Sequence, residues 1–220
     1  GERALFEVRN TDPEETQGFK RRHGSKIATD GATINATGLS VTGVDSYLRL
    51  DDTFDTRSFS VNLSVKLGTL ANAGAGDSYH IICAARSDGA IVKSSTELPK
   101  TGWALYVLQN AAVVKIGFAE LDGSGAPASG KKAEVTVTAG ASYFVTASKD
   151  ADTKVHLRLH KVEDTGFLST ENSSNDYTAS ATTSISAGAE DGVLEFLGSE
   201  TQGKRAAGVG PIVQNILVYE

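Results

Sequence analysis

The sequence predicts a single all-β sandwich, and three observations carry that prediction. Strand-length stretches of alternating apolar and polar residues recur along the chain, and turn-forming residues break them about every 8 to 12 residues. Helical periodicity is nearly missing. The 220 residues are in the range of one sandwich domain, and a chain of this length buries roughly 70% of its extended surface without staples. No internal repeat or linker divides it, so one domain over 1–220 is expected.

The elements follow in chain order. Residues 4–8 read as a strand. The best helical candidate is Asp12-Pro13-Glu14-Glu15-Thr16, where Asp12 caps a short turn with Pro13 at its first position. Residues 47–50 form another strand. In the run 58–67, Phe59, Val61, Leu63, Val65 and Leu67 share one face, while Ser, Asn and Lys share the other. That pattern describes a strand with one face on a core and one toward water. The runs 133–138 and 154–160 alternate in the same way. Apolar residues on both parities at 103–108, 113–118 and 143–147 predict central strands covered on both faces.

The closing strands are 194–198 and 212–219, and the last is expected to pair with the first, bringing the termini together. Asp30-Gly31, Asp88-Gly89, Asp122-Gly123 and Ala139-Gly140 mark turns, because these residues tolerate positive φ. The stretches 69–77, 123–130 and 163–175 are rich in Gly, Ser, Ala or Asn. They are expected as long loops, which are more often functional than mere connections.

Composition excludes some partners. With 27 acidic against 21 basic residues the net charge is -6, which disfavours nucleic acid and anionic membranes, since both require concentrated positive charge. No apolar run approaches the 18 or so residues of a membrane span, so membrane insertion is not expected. The chain has no methionine, which suggests a processed secreted protein or an excised module. Its one cysteine, Cys83, lies in the apolar run His80-Ile81-Ile82-Cys83-Ala84-Ala85 and is expected as a buried, inert thiol.

The strands Tyr47-Leu48-Arg49-Leu50, 59–67, Gly102-Trp103-Ala104-Leu105-Tyr106-Val107, 113–118, 138–145 and 155–160, with the closing pair 194–198 and 213–219, carry a family likeness. In this order they resemble the concanavalin A-like lectin/glucanase superfamily, particularly laminin-G-like members and the lectin modules attached to sialidases. The resemblance covers roughly residues 40–220. It implies a jelly-roll sandwich of two curved antiparallel sheets that often binds glycans, sometimes with calcium.

The catalytic patterns of that superfamily are incomplete in this sequence. Its glucanases carry Glu-x-Asp-x-x-Glu on one strand, aiming three acids into a cleft. Here Glu120-Leu121-Asp122 supplies two acids, the third is missing, and the pair is expected in an exposed Gly-rich turn. Tyr79-His80-Ile81 and Tyr143-Phe144-Val145 echo parts of the alginate-lyase set without its glutamine. No Gly-x-Ser-x-Gly elbow is present. The chain is therefore expected not to be an enzyme.

Binding chemistry has several candidates. His156, Arg158 and His160 fall on one face of a strand. They form either the solvated face of an amphipathic strand or a site for an anionic sugar or sulfate. No metal site is expected. The clusters Asp51, Asp52, Asp55 and Asp150, Asp152 leave calcium open as a cofactor, although neither matches an EF-hand loop. Trp103 reads as core, whereas Tyr106 and Tyr79 are better platforms for a sugar ring, since a phenol joins an apolar ring to a polar tip. Lys20-Arg21-Arg22-His23 is a solvated loop or an acidic-glycan or phosphate contact. Asn35, Asn62 and Asn172 fit the glycosylation pattern.

The expected ligand-binding residues are thus Tyr106, His156, Arg158 and His160. The expected function is a noncatalytic carbohydrate-binding (lectin-like) or adhesion module of a larger extracellular or surface protein. Its partner would be a glycan or another protein surface, with homo-oligomers or larger assemblies open. The alternative is a structural or assembly module, such as a phage virion decoration or fibre domain. A glycan hydrolase or lyase ranks third.

Overall fold

The computed structural model describes the backbone at 6–8, 19–21, 27–30, 32–35, 38–41, 47–50, 59–68, 77–86, 102–121, 126–149, 154–162, 168–178, 193–196 and 211–219. Side chains are described at 60–68, 77–84, 102–121, 126–149, 154–162 and 211–219. Every regular element among these residues is a strand. In chain order they are β1 Phe6–Val8, β2 Phe19–Arg21, β3 Ile27–Asp30, β4 Ala32–Asn35, β5 Gly38–Val41, β6 Tyr47–Leu50, β7 Phe59–Lys66 and β8 Ser78–Arg86. They continue with β9 Trp103–Asn110, β10 Val113–Leu121, β11 Pro127–Val137, β12 Ser142–Lys149, β13 Lys154–Val162, β14 Leu168–Thr178, β15 Val193–Phe196 and β16 Ile212–Tyr219.

The strands form two antiparallel sheets. The first runs β14-β13-β12-β7-β16-β1-β2, with β4 and β5 attached at β16; the second runs β11-β10-β9-β8-β15-β6-β3. This is the jelly-roll sandwich expected of the sequence. As predicted, the first and last strands pair, with Phe6 opposite Val218 and Glu7 opposite Leu217. At one border of the sandwich the edge strands β11 and β14 lie side by side.

Period-2 alternation places the core between the sheets. From the first sheet come Val61, Leu63, Val65 and Leu67 of β7, Val145 and Ala147 of β12, and Val155, Leu157 and Leu159 of β13. Trp103, Leu105, Val107, Ile116 and Phe118 meet them from β9 and β10. Trp103 is fully buried and packs against Phe118 with ring centroids 5.1 Å apart, so its expected core role holds.

Two bulges redirect what strict alternation predicts. In β8 the register shifts between Ile81 and Cys83, and Ile82 and Cys83 both join the core while Tyr79, Ile81 and Ala84 face the other way. Cys83 is buried, as expected. In β16 the register shifts between Gln214 and Leu217, with Asn215 at φ 50°. Asn tolerates that left-handed conformation better than most residues. The extra residue turns Val213, Ile216 and Val218 inward, where unbroken alternation would have buried Asn215.

Some expectations need correction. Residues 127–130 belong to β11 and 168–175 to β14, so they are strand rather than loop. The run 143–147 is not covered on both faces: Tyr143, Val145 and Ala147 are buried, but Phe144 and Thr146 are only half-buried on the outer face of the first sheet. Lys20 and Arg21 of the basic run belong to β2 rather than to a loop; the candidate helical turn at 12–16, the Asp51 and Asp150 clusters and the side chains at 20–23 lie outside the described residues.

Candidate functional site

In the second sheet β8 and β9 are buried on both faces over 78–84 and 103–108, and the outer face carries a smaller cluster. Tyr79, Ile81, Ala84, Ala104, Tyr106, Leu108 and Ala119 are buried there. Next to this cluster the face becomes charged and opens into a depression of about 300 Å³ lined by Asp77, Leu108, Asn110, Val113, Lys115, Lys132 and Glu134. This volume is at the lower end of small-ligand sites.

Strand register dictates the arrangement. Tyr106 of β9 lies opposite Gly117 of β10, and Gly117 lies opposite Glu134 of β11. A Cβ on Gly117 would sit 2.5 Å from the Tyr106 ring, so only glycine lets the phenol cross the middle strand. Tyr106 donates its hydroxyl hydrogen to Glu134 Oε1 at 3.0 Å. Lys115 donates to Glu134 Oε2 at 3.1 Å, and Lys132 to Oε1 at 3.4 Å. The Glu134 side chain is only 10% exposed, against 35% for Lys115 and 50% for Lys132. The carboxylate therefore forms the floor, and the ammonium groups stand over it.

A second polar group borders the depression. Asn110 donates from Nδ2 to Asp77 Oδ1 at 2.7 Å, and the charge of the same carboxylate acts on Tyr79. The Tyr79 and Tyr106 rings meet edge to face, 5.4 Å between centroids. This contact links the Asp77 group to the Glu134 group through the buried cluster. Val113, 48% exposed, supplies apolar surface at the rim.

Electrostatics follow from this packing. Burial alone would raise the Glu134 pKa; hydrogen bonds from Lys115 and Tyr106, with the charges of Lys132 and Lys115, outweigh it and hold the carboxyl below its ordinary value. Burial pushes the Tyr79 phenol up to about 12, assisted by the negative charges of Asp77 and Glu134.

The four residues expected from the sequence to bind ligand do not converge. Tyr106 is fully buried on the outer side of the second sheet. His156, Arg158 and His160 are half-buried on the outer side of the first sheet, across the core from it. Neither Tyr106 nor Tyr79, at 0% and 8% exposure, offers a ring face for stacking. On the first sheet Arg158 donates to the Leu157 carbonyl at 3.1 Å, and its Nη2 lies 3.2 Å from His156 Nδ1. Because guanidinium only donates, His156 Nδ1 accepts there and its ring proton sits on Nε2. Beside them Thr146 donates to Asn62 Oδ1 at 2.8 Å, and Asn62 Nδ2 donates to Ser60 at 3.0 Å.

The expected exposed acidic turn is also corrected. Glu120 is a buried strand residue beside the β10 bulge, 6% exposed, and Asp122 lies outside the described residues. The described residues contain no grouping of three or more His, Cys, Asp or Glu able to hold a metal. They also contain no helix long and apolar enough to cross a membrane, which leaves strand-based insertion unaddressed.

Sequence reasoning missed Lys115, Lys132 and Glu134. The available signal was Gly117 within an apolar strand, which marks close approach of a neighbour. Lys115, two positions away on the same face, places charge next to that approach.

No protein-family model and no curated protein sequence matches the chain. Solved structures do. A legume lectin-like domain from Entamoeba histolytica is similar at 11% identity and TM-score 0.58, over 100% of this chain and 99% of that one. The binding domain of botulinum neurotoxin serotype D is similar at 9% identity and TM-score 0.55, covering 98% of this chain. The enzymatically active domain of bacteriophage CBA120 tailspike protein 2 is similar at 12% identity and TM-score 0.51, covering 88% of this chain. The chain spans 48% of the neurotoxin domain and 27% of the tailspike domain. The likeness is one of fold: a jelly-roll sandwich of two antiparallel sheets.

Proposed function

We propose that the chain is a noncatalytic, lectin-like module of an extracellular or surface-associated protein, and that it takes carbohydrate into the depression on the second sheet. The observation carrying this reading is the network around Glu134. Its two carboxylate oxygens accept three donors while apolar Leu108 and Val113 lie alongside. Sugar sites combine such fixed polar groups with apolar surface for the ring. Tyr106 acts here from beneath, as a positioning residue for Glu134 rather than as a stacking platform.

Glu134 does not suit the general-acid role of a glycosidase. A glycosidase acid must hold its proton near neutral pH, which requires a raised pKa. Glu134 is held in the opposite direction. On the first sheet, Arg158 is held by the Leu157 carbonyl and His156.

A glycan array, run with and without calcium, tests the proposal. Saturable binding without cleavage is expected. No glycan binding, together with symmetric self-association or assembly onto a particle, would replace it with a structural role.

A further inference from the structure

Building on the carbohydrate reading, we infer that the depression selects sugars bearing an anionic substituent, with the anion on Lys115 and Lys132 and ring hydroxyls toward Asp77. The charge on the walls is unevenly distributed. On the β10–β11 side one carboxylate, Glu134, faces two ammonium groups, Lys115 and Lys132. That side carries a net charge of +1. On the β8 side Asp77 stands with the neutral Asn110 and Tyr79, so that side is negative.

Hydrogen-bond capacity is polarised in the same sense. An ammonium group has three donors and no acceptor. Lys115 and Lys132 each give one donor to Glu134, which leaves two apiece on side chains that rise above the carboxylate. A ligand arriving at this end meets donors and positive charge, the complement of a carboxylate or sulfate oxygen. At the other end the Asp77 carboxylate is an acceptor, the complement of a sugar hydroxyl. Val113 and Leu108 lie along the same depression and can cover the apolar face of a ring.

The test compares carboxylated, sulfated and neutral oligosaccharides of matched backbone on an array, with titration of the best acidic probe and its neutral counterpart. The acidic probe is expected to bind at least about tenfold tighter, the scale of a hydrogen bond to a charged group. Its affinity should fall with added salt while that of the neutral probe does not. Lys132→Gln should remove most of the preference, and Lys115→Gln should do the same, whereas Lys115→Arg should retain it. If Lys115→Gln does not fold, Lys132→Gln on the half-exposed side chain decides the matter. The carboxylated and sulfated arms identify which anion is preferred. Equal binding of acidic and neutral probes, or a Lys132→Gln variant with unchanged preference, overturns the inference and leaves the carbohydrate reading standing. Absence of binding to every probe overturns that reading as well.

Discussion

Tyr106 reaches Glu134 across the bare backbone of Gly117, joining residues on two strands that are not neighbours in the sheet. The missing side chain at Gly117 is what permits the contact, since a Cβ there would overlap the phenol ring. Gly117→Ala is expected to force the fully buried ring aside and destabilise the protein by about 1–3 kcal/mol, as overpacking does. Urea denaturation would detect this as a lowered midpoint at unchanged slope. A midpoint equal to wild type would mean that the ring does not occupy this position.

Removing the donor alone separates the hydrogen bond from the packing. Tyr106→Phe keeps the ring and deletes its hydrogen bond to a charged partner, for an expected loss of about 1.5–3 kcal/mol. Because that bond helps hold the Glu134 carboxyl low, its titration observed by carbon NMR should move upward in the variant. An unmoved titration would contradict the contact.

Two opposite pH dependences follow from the shifted groups. Glu134 has a lowered folded pKa, so its stabilising contribution is present above the ordinary carboxylate value of 4.5 and fades as pH falls through the folded value. Tyr79 has a raised one. Its contribution is complete below 10.0 and is lost as pH rises from there through about 12. Denaturation midpoints measured across pH should therefore decline at both ends, and Tyr79→Phe should flatten the alkaline decline.

The β9–β10 hairpin contains an alanine at φ 50°. A left-handed conformation costs an L-residue about 1–2 kcal/mol, and glycine avoids that cost at some loss of chain entropy. Ala111→Gly is expected to raise stability by up to about 1 kcal/mol in the same denaturation assay. A lowered midpoint would show that the turn gains nothing from relief of strain.

Trp103 is the only tryptophan and is fully buried between the sheets. Its emission should be blue-shifted, resistant to acrylamide, and unchanged when a glycan occupies the depression. A ligand-dependent change in its fluorescence would place the sugar elsewhere.

Much of the fold was legible because sandwich strands with one wet face write their geometry as alternation. β7 and β13 are the clearest cases. β14 was hidden because Leu168–Thr178, at the sheet edge beside β13, is polar in sequence and lacks the apolar residue at every second position that marks β7 and β13. The bulges in β8 and β16 were hidden for a different reason. Ile82 and Cys83 are both apolar, and nothing in composition distinguishes a shifted register from a regular one. For the site, sequence could find individual chemistry but not the sheet that carries it. Tyr106 and His156 have the right residue types, yet they stand on opposite outer faces of the sandwich. Lys115 and Glu134 become neighbours only through the pairing of β10 with β11.

The most direct test of the account is amide NMR titration of the full chain with the oligosaccharide that binds best on the array. Chemical-shift changes are expected to centre on Asn110, Val113, Lys115, Lys132 and Glu134, with the sugar recovered intact. Changes centred instead on His156, Arg158 and His160, or cleavage of the sugar, would contradict it.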